Sequence, residues 1–355
     1  MTANQLQNRE EEREKSAERL PAASGGEESL AGFFQASCSS YNLRLLDVPG
    51  YYKIIVVASA VLGERALLEF DWHPLNINIP MVKEVRAERN AVVMLSIGGE
   101  NGNFHFLNGY DKVTNFYNSL VDLYQDWDFD GVNFDLRTFD NHNRDFLIKA
   151  IRWFNDTFPE AILSITAKAV GVSPAAGGIY GGWNELVPVI NELKDCLDRV
   201  QIMAYGFGPA FEELVNSRCT PTPTSSPGFL QASPPASGID RPIPLTDPQG
   251  MLEYIFRSYA EPFTFWNPAG NGESNEVTGY DGFAVDKLML AVPPDPGVDP
   301  QYFVNPGGIK QVMKTLQDRY NETPAEIMIS TINSDARDGY SYSTQFTAGQ
   351  EGLNS

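Results

Sequence analysis

The chain has 355 residues, with 26 Lys and Arg against 46 Asp and Glu, for a formal net charge of -20. Hydrophobic residues make up 42% and charged residues 20%, the balance of a globular protein with a large core and not of a disordered one. The acidic excess speaks against nucleic acid and anionic membranes, both of which call for clustered Lys and Arg, and no run of about 18 apolar residues is present to span a bilayer.

Residues 1–28 read as a polar N-terminal arm. Asn8 to Arg19 suits an exposed helix of mixed charge, which Pro21 and Gly25-Gly26 break. The arm has no apolar stretch, so no ordinary secretory signal is read. A protein made in the cytoplasm is expected, with any export by a non-classical route or within an assembly. Cys38, Cys196 and Cys219 are too few for a disulfide framework.

From Ser29 onward, short apolar runs alternate with longer amphipathic stretches. The runs fall at 30–40, 53–61, 91–99, 129–137, 161–169, 198–206, 286–294 and 326–334. Near-continuous apolar character between turn residues marks buried parallel strands. Helical spacing is visible over Val113–Trp127, Arg144–Phe158, Trp183–Leu197 and Gly308–Arg319. Eight strand–helix units predict a single (β/α)8 barrel over residues 29–355, with sites at the C-terminal strand ends. Residues 218–248, rich in Pro, Ser and Thr, interrupt the rhythm as an insertion between strands six and seven. This stretch and the N-terminal arm are the expected contact segments for a protein partner.

Several chemistries lack their residues. There is no phosphate-cradling Gly-rich loop, no dinucleotide fingerprint, no CxxC pair and no GxSxG elbow. His73, His105 and His142 are scattered. No metal or cofactor is expected.

The informative segment is Asp128 to Arg137. On a strand, alternate side chains share a face, so Asn133, Asp135 and Arg137 point one way and Val132, Phe134 and Leu136 the other. Three polar side chains on the inward face of a barrel strand are costly unless they pair or act, which makes this strand a candidate site. Asp135 and Arg137, two apart on that face, are expected to form a buried ion pair that closes the pocket.

The segment 130–137 resembles the DxxDxDxE signature of glycoside hydrolase family 18, the chitinases and their relatives. Leu95–Gly99 resembles that family's SxGG motif, Gln201–Tyr205 its QxMxY motif and Met328–Asn333 its MxWSxN motif, all in family order. The resemblance covers roughly residues 29–345. It implies Ser96, Gly98, Gly99, Asp135, Gln201, Met203 and Tyr205 as substrate-contacting positions. Asp135 would orient an N-acetyl group and Tyr205 would hydrogen-bond it. The four signature positions are Asp130, Asn133, Asp135 and Arg137.

The departures from the family pattern are chemical. The position of the family's general-acid Glu is Arg137, which has no proton to give at workable pH. The family's mechanism is substrate-assisted, and a guanidinium would repel the positive charge that develops on the sugar. The middle Asp is Asn133, the Asp after the strand-six Tyr is Gly206, and the Trp under the sugar is Ser330. The expectation is a catalytically inactive, chitinase-like barrel used as a scaffold or assembly subunit, as in chitinase-like subunits of toxin complexes. Two alternatives stand beside it. One is a pseudoenzyme that binds chito-oligosaccharide. The other is an active hydrolase with a relocated acid, for which Glu100 and Asp140 are the carboxylates nearest the expected mouth. Trp183 and Trp266 are the loop aromatics that could stack on a sugar.

Overall fold

The computed structural model describes residues 20, 29–37, 43–139, 143–173, 184–205, 247–267, 276–297, 300 and 303–348. Eight parallel strands run in chain order: β1 (Leu30–Gln35), β2 (Tyr52–Leu62), β3 (Val92–Gly98), β4 (Gly131–Asp135), β5 (Ile162–Lys168), β6 (Arg199–Met203), β7 (Leu288–Val292) and β8 (Ile327–Ile329). Each pairs with the next, and β1 pairs with both β2 and β8, which closes the barrel. Each of the eight sequence runs overlaps one of these strands, so the expected (β/α)8 architecture is the observed one.

The helices pack outside. They are α1 (Ile79–Arg89), α2 (Tyr110–Trp127), α3 (Arg144–Thr157), α4 (Val187–Leu193), α5 (Pro248–Ala260), α6 (Pro306–Tyr320), α7 (Ile332–Arg337) and α8 (Ser341–Thr347). In α2 the buried positions are Val113, Phe116, Leu120, Leu123 and Tyr124, the 3.6-residue stripe that periodicity predicts. The helix near 190 is shorter than expected: Asn184 takes a left-handed backbone, the helix starts at Val187 with Pro188 in its first turn, and it ends at Leu193.

Four further helices, α1, α5, α7 and α8, have no counterpart among the expected ones. Side-chain caps mark the starts of α1, α5 and the expected α6. Asn78 accepts from the Met81 N–H, Asp247 from Gly250 and Asn305 from Gly308, and each cap is followed by a proline in the first turn. An antiparallel hairpin, Phe263–Asn267 with Glu276–Tyr280, was also unanticipated and sits between α5 and β7.

The outward faces of the strands and the inner faces of the helices form the main apolar core, which includes Val57, Val93, Leu95, Phe134, Ile165 and Ile202. The barrel interior holds a second apolar cluster that includes Ala31, Phe33, Ile54, Val92, Ile162 and Met328. Leu20, the one described residue of the N-terminal arm, belongs to this second cluster and is only 5% exposed. Of the 218–248 stretch, only Asp247 and Pro248 are described, and they begin α5.

Candidate functional site

The site is built by strand register. Across the barrel interior, Ser96 on β3 lies opposite Asn133 on β4, and Asn133 lies opposite Ser164 on β5. Thr166 lies opposite Gln201 on β6. The five buried side chains form one hydrogen-bonded belt. Asn133 donates to Ser96 Oγ at 3.1 Å and accepts from Ser164 Oγ at 3.0 Å. Thr166 Oγ1 lies 2.7 Å from Gln201 Oε1 and 3.1 Å from Asn133 Oδ1, and Gln201 Nε2 donates to Ser164 Oγ at 3.2 Å. Satisfying all of these groups removes the penalty of burying them, and the belt rigidifies the layer below the mouth.

Asp135 stands one step above the belt, only 2% exposed, at the register position opposite Gly98. Arg137 Nε donates to both Asp135 oxygens at 3.0 and 2.9 Å, and Nη2 donates to Oδ2 at 2.5 Å. The Arg137 backbone N–H adds a bond at 3.3 Å. Its guanidinium also lies 6.0 Å from the Phe33 ring centre, at the edge of cation–π range. The expected ion pair is therefore present, with one correction. Only its Asp end is fully buried, while Arg137 keeps 22% of its side chain exposed.

Burial alone would lower the Arg137 pKa. The hydrogen bonds and charge of Asp135 outweigh it and, with smaller contributions from Tyr205 and Glu100, raise it. Tyr205 is shifted upward by burial, partly offset by Arg137 and by its bond to Ser330. That bond is a short contact between the two hydroxyls, Tyr205 on the inward face after β6 and Ser330 after β8.

Gly98 and Gly99 hold the rim. Their φ angles are +108° and +86°, in a region that side chains avoid. A Cβ on Gly98 would lie 2.4 Å from the Asp135 carbonyl oxygen, and one on Gly99 would lie 3.4 Å from Asp135 Oδ2. The Gly99 N–H donates to the Asp135 carbonyl at 3.1 Å, which locks the β3 and β4 ends together.

The structure thus gathers Ser96, Gly98, Gly99, Asn133, Asp135, Arg137, Gln201, Met203 and Tyr205 along one inward surface. Asp130 is the exception. It sits before β4, at the opposite end of the strand, where it accepts from Arg86 Nε at 2.9 Å and from the Val93 N–H at 2.8 Å and pairs with Arg86 Nη2 at 2.8 Å. It ties α1 to β3 and takes no part in the mouth. Its parity already separates it, because an even-numbered residue cannot share a strand face with 133, 135 and 137. Glu100 is exposed on the loop after β3, whereas Asp140, Trp183 and Gly206 lie outside the described residues, as does the side chain of Trp266. Ser164, Thr166 and Phe33 were missed by sequence reasoning. The alternating Ser164-x-Thr166 pattern was the available signal for the first two.

A family model described as "Glycosyl hydrolases family 18" matches residues 30–268. No curated protein sequence matches the chain. Among solved structures it is similar to a family GH18 chitinase from Chromobacterium violaceum, with 23% identity over 94% of this chain and 85% of that one and a TM-score of 0.69. It is also similar to the C-terminal domain of Legionella pneumophila ChiA, with 14% identity, 92% and 99% coverage and a TM-score of 0.62. A GH18 chitinase from Pseudoalteromonas aurantia gives 12% identity, 86% and 95% coverage and a TM-score of 0.58.

Proposed function

Because the chain belongs to the glycosyl hydrolases family 18, we propose that it is a catalytically inactive member that works as an interaction scaffold. The observation that carries this reading is the Arg137–Asp135 pair. The position that would have to deliver a proton to a leaving oxygen holds a guanidinium, which stays charged throughout the pH range of proteins. Both oxygens of Asp135, the carboxylate that would orient an N-acetyl group, are taken by that guanidinium. The Tyr205 hydroxyl is spent on Ser330. Groups that would have gripped a sugar in the transition state are turned onto one another, and loss of general-acid catalysis alone costs about 10²–10⁴ in rate.

A second reading, a chito-oligosaccharide-binding pseudoenzyme, draws support from the partial exposure of Arg137, a donor that a ligand could reach. One experiment separates the readings. The full chain is incubated with N-acetylglucosamine hexamer, products are followed by chromatography, and the same ligand is titrated calorimetrically. No product and no heat fit the scaffold. Saturable heat without product fits the binding protein. Product formation that disappears in Glu100→Gln overturns both and establishes a relocated acid.

A further inference from the structure

The barrel mouth holds a second cation beside Arg137. Lys168 ends β5, two residues beyond Thr166, whose hydroxyl enters the inward belt, and Ala167 between them packs in the outer core. Lys168 therefore shares the inward face, in register with Met203 on β6, and it is exposed. Asp135 is level with Thr166, and the Leu136 N–H continues the ladder to the Thr166 carbonyl at 2.8 Å. Arg137 and Lys168, each two residues further on, thus stand on neighbouring strands at the same height. Donors outnumber acceptors here. Arg137 spends Nε and Nη2 on Asp135, and among the described residues neither its Nη1 nor the Lys168 amine has a partner. Tyr205 and Ser330 share one contact between two hydroxyls, so one of the two protons is left to donate elsewhere, and Ser330 is only 9% exposed. The neighbouring acceptors are committed: both Asp135 oxygens to Arg137, Asn133 Oδ1 to Ser164 and Thr166, and the Gly99 carbonyl to Thr138. Glu100, exposed on the loop after β3, is the exception, and its charge bears on Arg137.

We propose that the barrel mouth binds an acidic saccharide, with its carboxylate held by Lys168 and the unspent N–H groups of Arg137. The proposal rests on the second reading above, a saccharide-binding mouth, and changes the ligand from a neutral chito-oligosaccharide to one that carries a carboxylate. The family of the chain supplies the saccharide part of this reading, and the surplus of donors supplies the carboxylate. A carboxylate is acceptor-only and accepts at both oxygens, which suits a surface of unspent donors. Its bonds to guanidinium and ammonium are charge-assisted, roughly twice as strong as neutral ones. A neutral sugar would bring donors of its own to donor-rich ground and no counter-charge to Lys168. The net charge of -20 opposes any anion at a distance, but screening over about 8 Å in physiological salt leaves the nearest groups to decide. Glu100 is the local competitor. Its charge acts on the same guanidinium, so it holds anion affinity down and its removal should raise it.

The test is calorimetric titration of the full chain with a tetrasaccharide of alternating glucuronate and N-acetylglucosamine, beside the N-acetylglucosamine tetramer. Saturable binding of the acidic ligand is expected, roughly fivefold or more tighter than that of the neutral one and weakening as salt rises. Lys168→Gln should weaken it roughly fivefold, Lys168→Arg should stay within about twofold, and Glu100→Gln should tighten it roughly twofold. Lys149→Gln, on α3 over the Tyr110 ring, removes the same charge away from the mouth and should stay within about twofold, and thermal melts confirm that every variant is folded. Equal weakening by Lys168→Gln and Lys149→Gln would mean diffuse attraction and would overturn the proposal. So would the absence of saturable binding of the acidic ligand, or tighter Lys168-dependent binding of a pentapeptide with a free C-terminal carboxylate, which would make the ligand a protein terminus. Binding of the neutral tetramer alone would leave the second reading and remove this one. Release of product from N-acetylglucosamine hexamer, alongside Lys168-dependent binding of the acidic ligand, would refute the inactivity and leave this site standing.

Discussion

Arg137 grips both oxygens of Asp135 from only two residues further along the same strand end, with contacts of 2.5 to 3.0 Å. The geometry is local, yet its setting is not. β3 and β5 flank Asp135 on either side, and among the described residues Arg137 is the cation it pairs with. Removing the guanidinium would leave a buried carboxylate with a single backbone donor. Arg137→Ala should therefore destabilise the fold by about 2–4 kcal/mol, below the value for a fully buried pair because Arg137 is partly exposed. Chemical denaturation at pH 7 measures it, and a loss under 1 kcal/mol would mean that Asp135 is solvated.

Restoring a carboxyl at this position should not restore hydrolysis. Arg137→Glu places a second acid against Asp135, but Asn133 stays committed to Ser96 and Ser164, and Ser330 still occupies the place of an aromatic floor. The variant is expected to release no reducing sugar from chitin. Detectable release would show that the guanidinium alone silences the site.

A second buried pair lies inside the barrel at the strand starts. Arg199 Nε lies 3.4 Å from Glu326 Oε2, both nearly inaccessible, and Glu326 Oε1 has no hydrogen-bond partner. Arg199→Met would strand that charge and should cost about 3–5 kcal/mol. The double variant Arg199→Met/Glu326→Leu should recover most of the loss, because no charge is left buried. Urea melts of the two variants give the comparison, and an equal cost in both would count against the charge argument.

The outer surface supplies a pH dependence. Burial raises the Glu261 carboxyl, but hydrogen bonds from Arg257 and Tyr320, together with the charges of Arg257 and Arg319, outweigh it and hold it below the usual carboxylate range. A pKa depressed in the folded state gives stability that is present above the unfolded value and is lost as pH falls through the folded one. Wild type should exceed Glu261→Gln by about 1 kcal/mol from pH 8 down to about 5, and the gap should close below about pH 4. Thermal melts across that range test the sign.

Leu20 gives a prediction for the arm. As a buried member of the interior apolar cluster it should cost about 2–3 kcal/mol when cut to Ala, within the range for buried leucines that leave a partly collapsible space. Calorimetric melting of Leu20→Ala checks this. A change under 0.5 kcal/mol would mean that the contact contributes no stability in solution.

The sequence by itself determined the strand count, the strand order and the inward face of β4, because alternation with period two is a property of the backbone and needs no partner. It also determined that Asp135 and Arg137 could meet, since residues two apart on a strand lie side by side. The parity of Asp130 was equally legible, and it points away from the mouth to Arg86. Helix α1 carried a readable cap at Asn78 but only a weak apolar stripe, so packing against the barrel decided it, whereas α5 carried both a cap at Asp247 and a stripe of Met251, Leu252, Ile255, Phe256 and Tyr259. What only the tertiary structure decided is every contact set by closure and register. The Asn133 belt draws on four strands, the Tyr205–Ser330 contact spans 125 residues, and Leu20 reaches a barrel interior that no local pattern announces. Such contacts depend on how far each strand is staggered against the next, a quantity that the side chains of the whole barrel fix together.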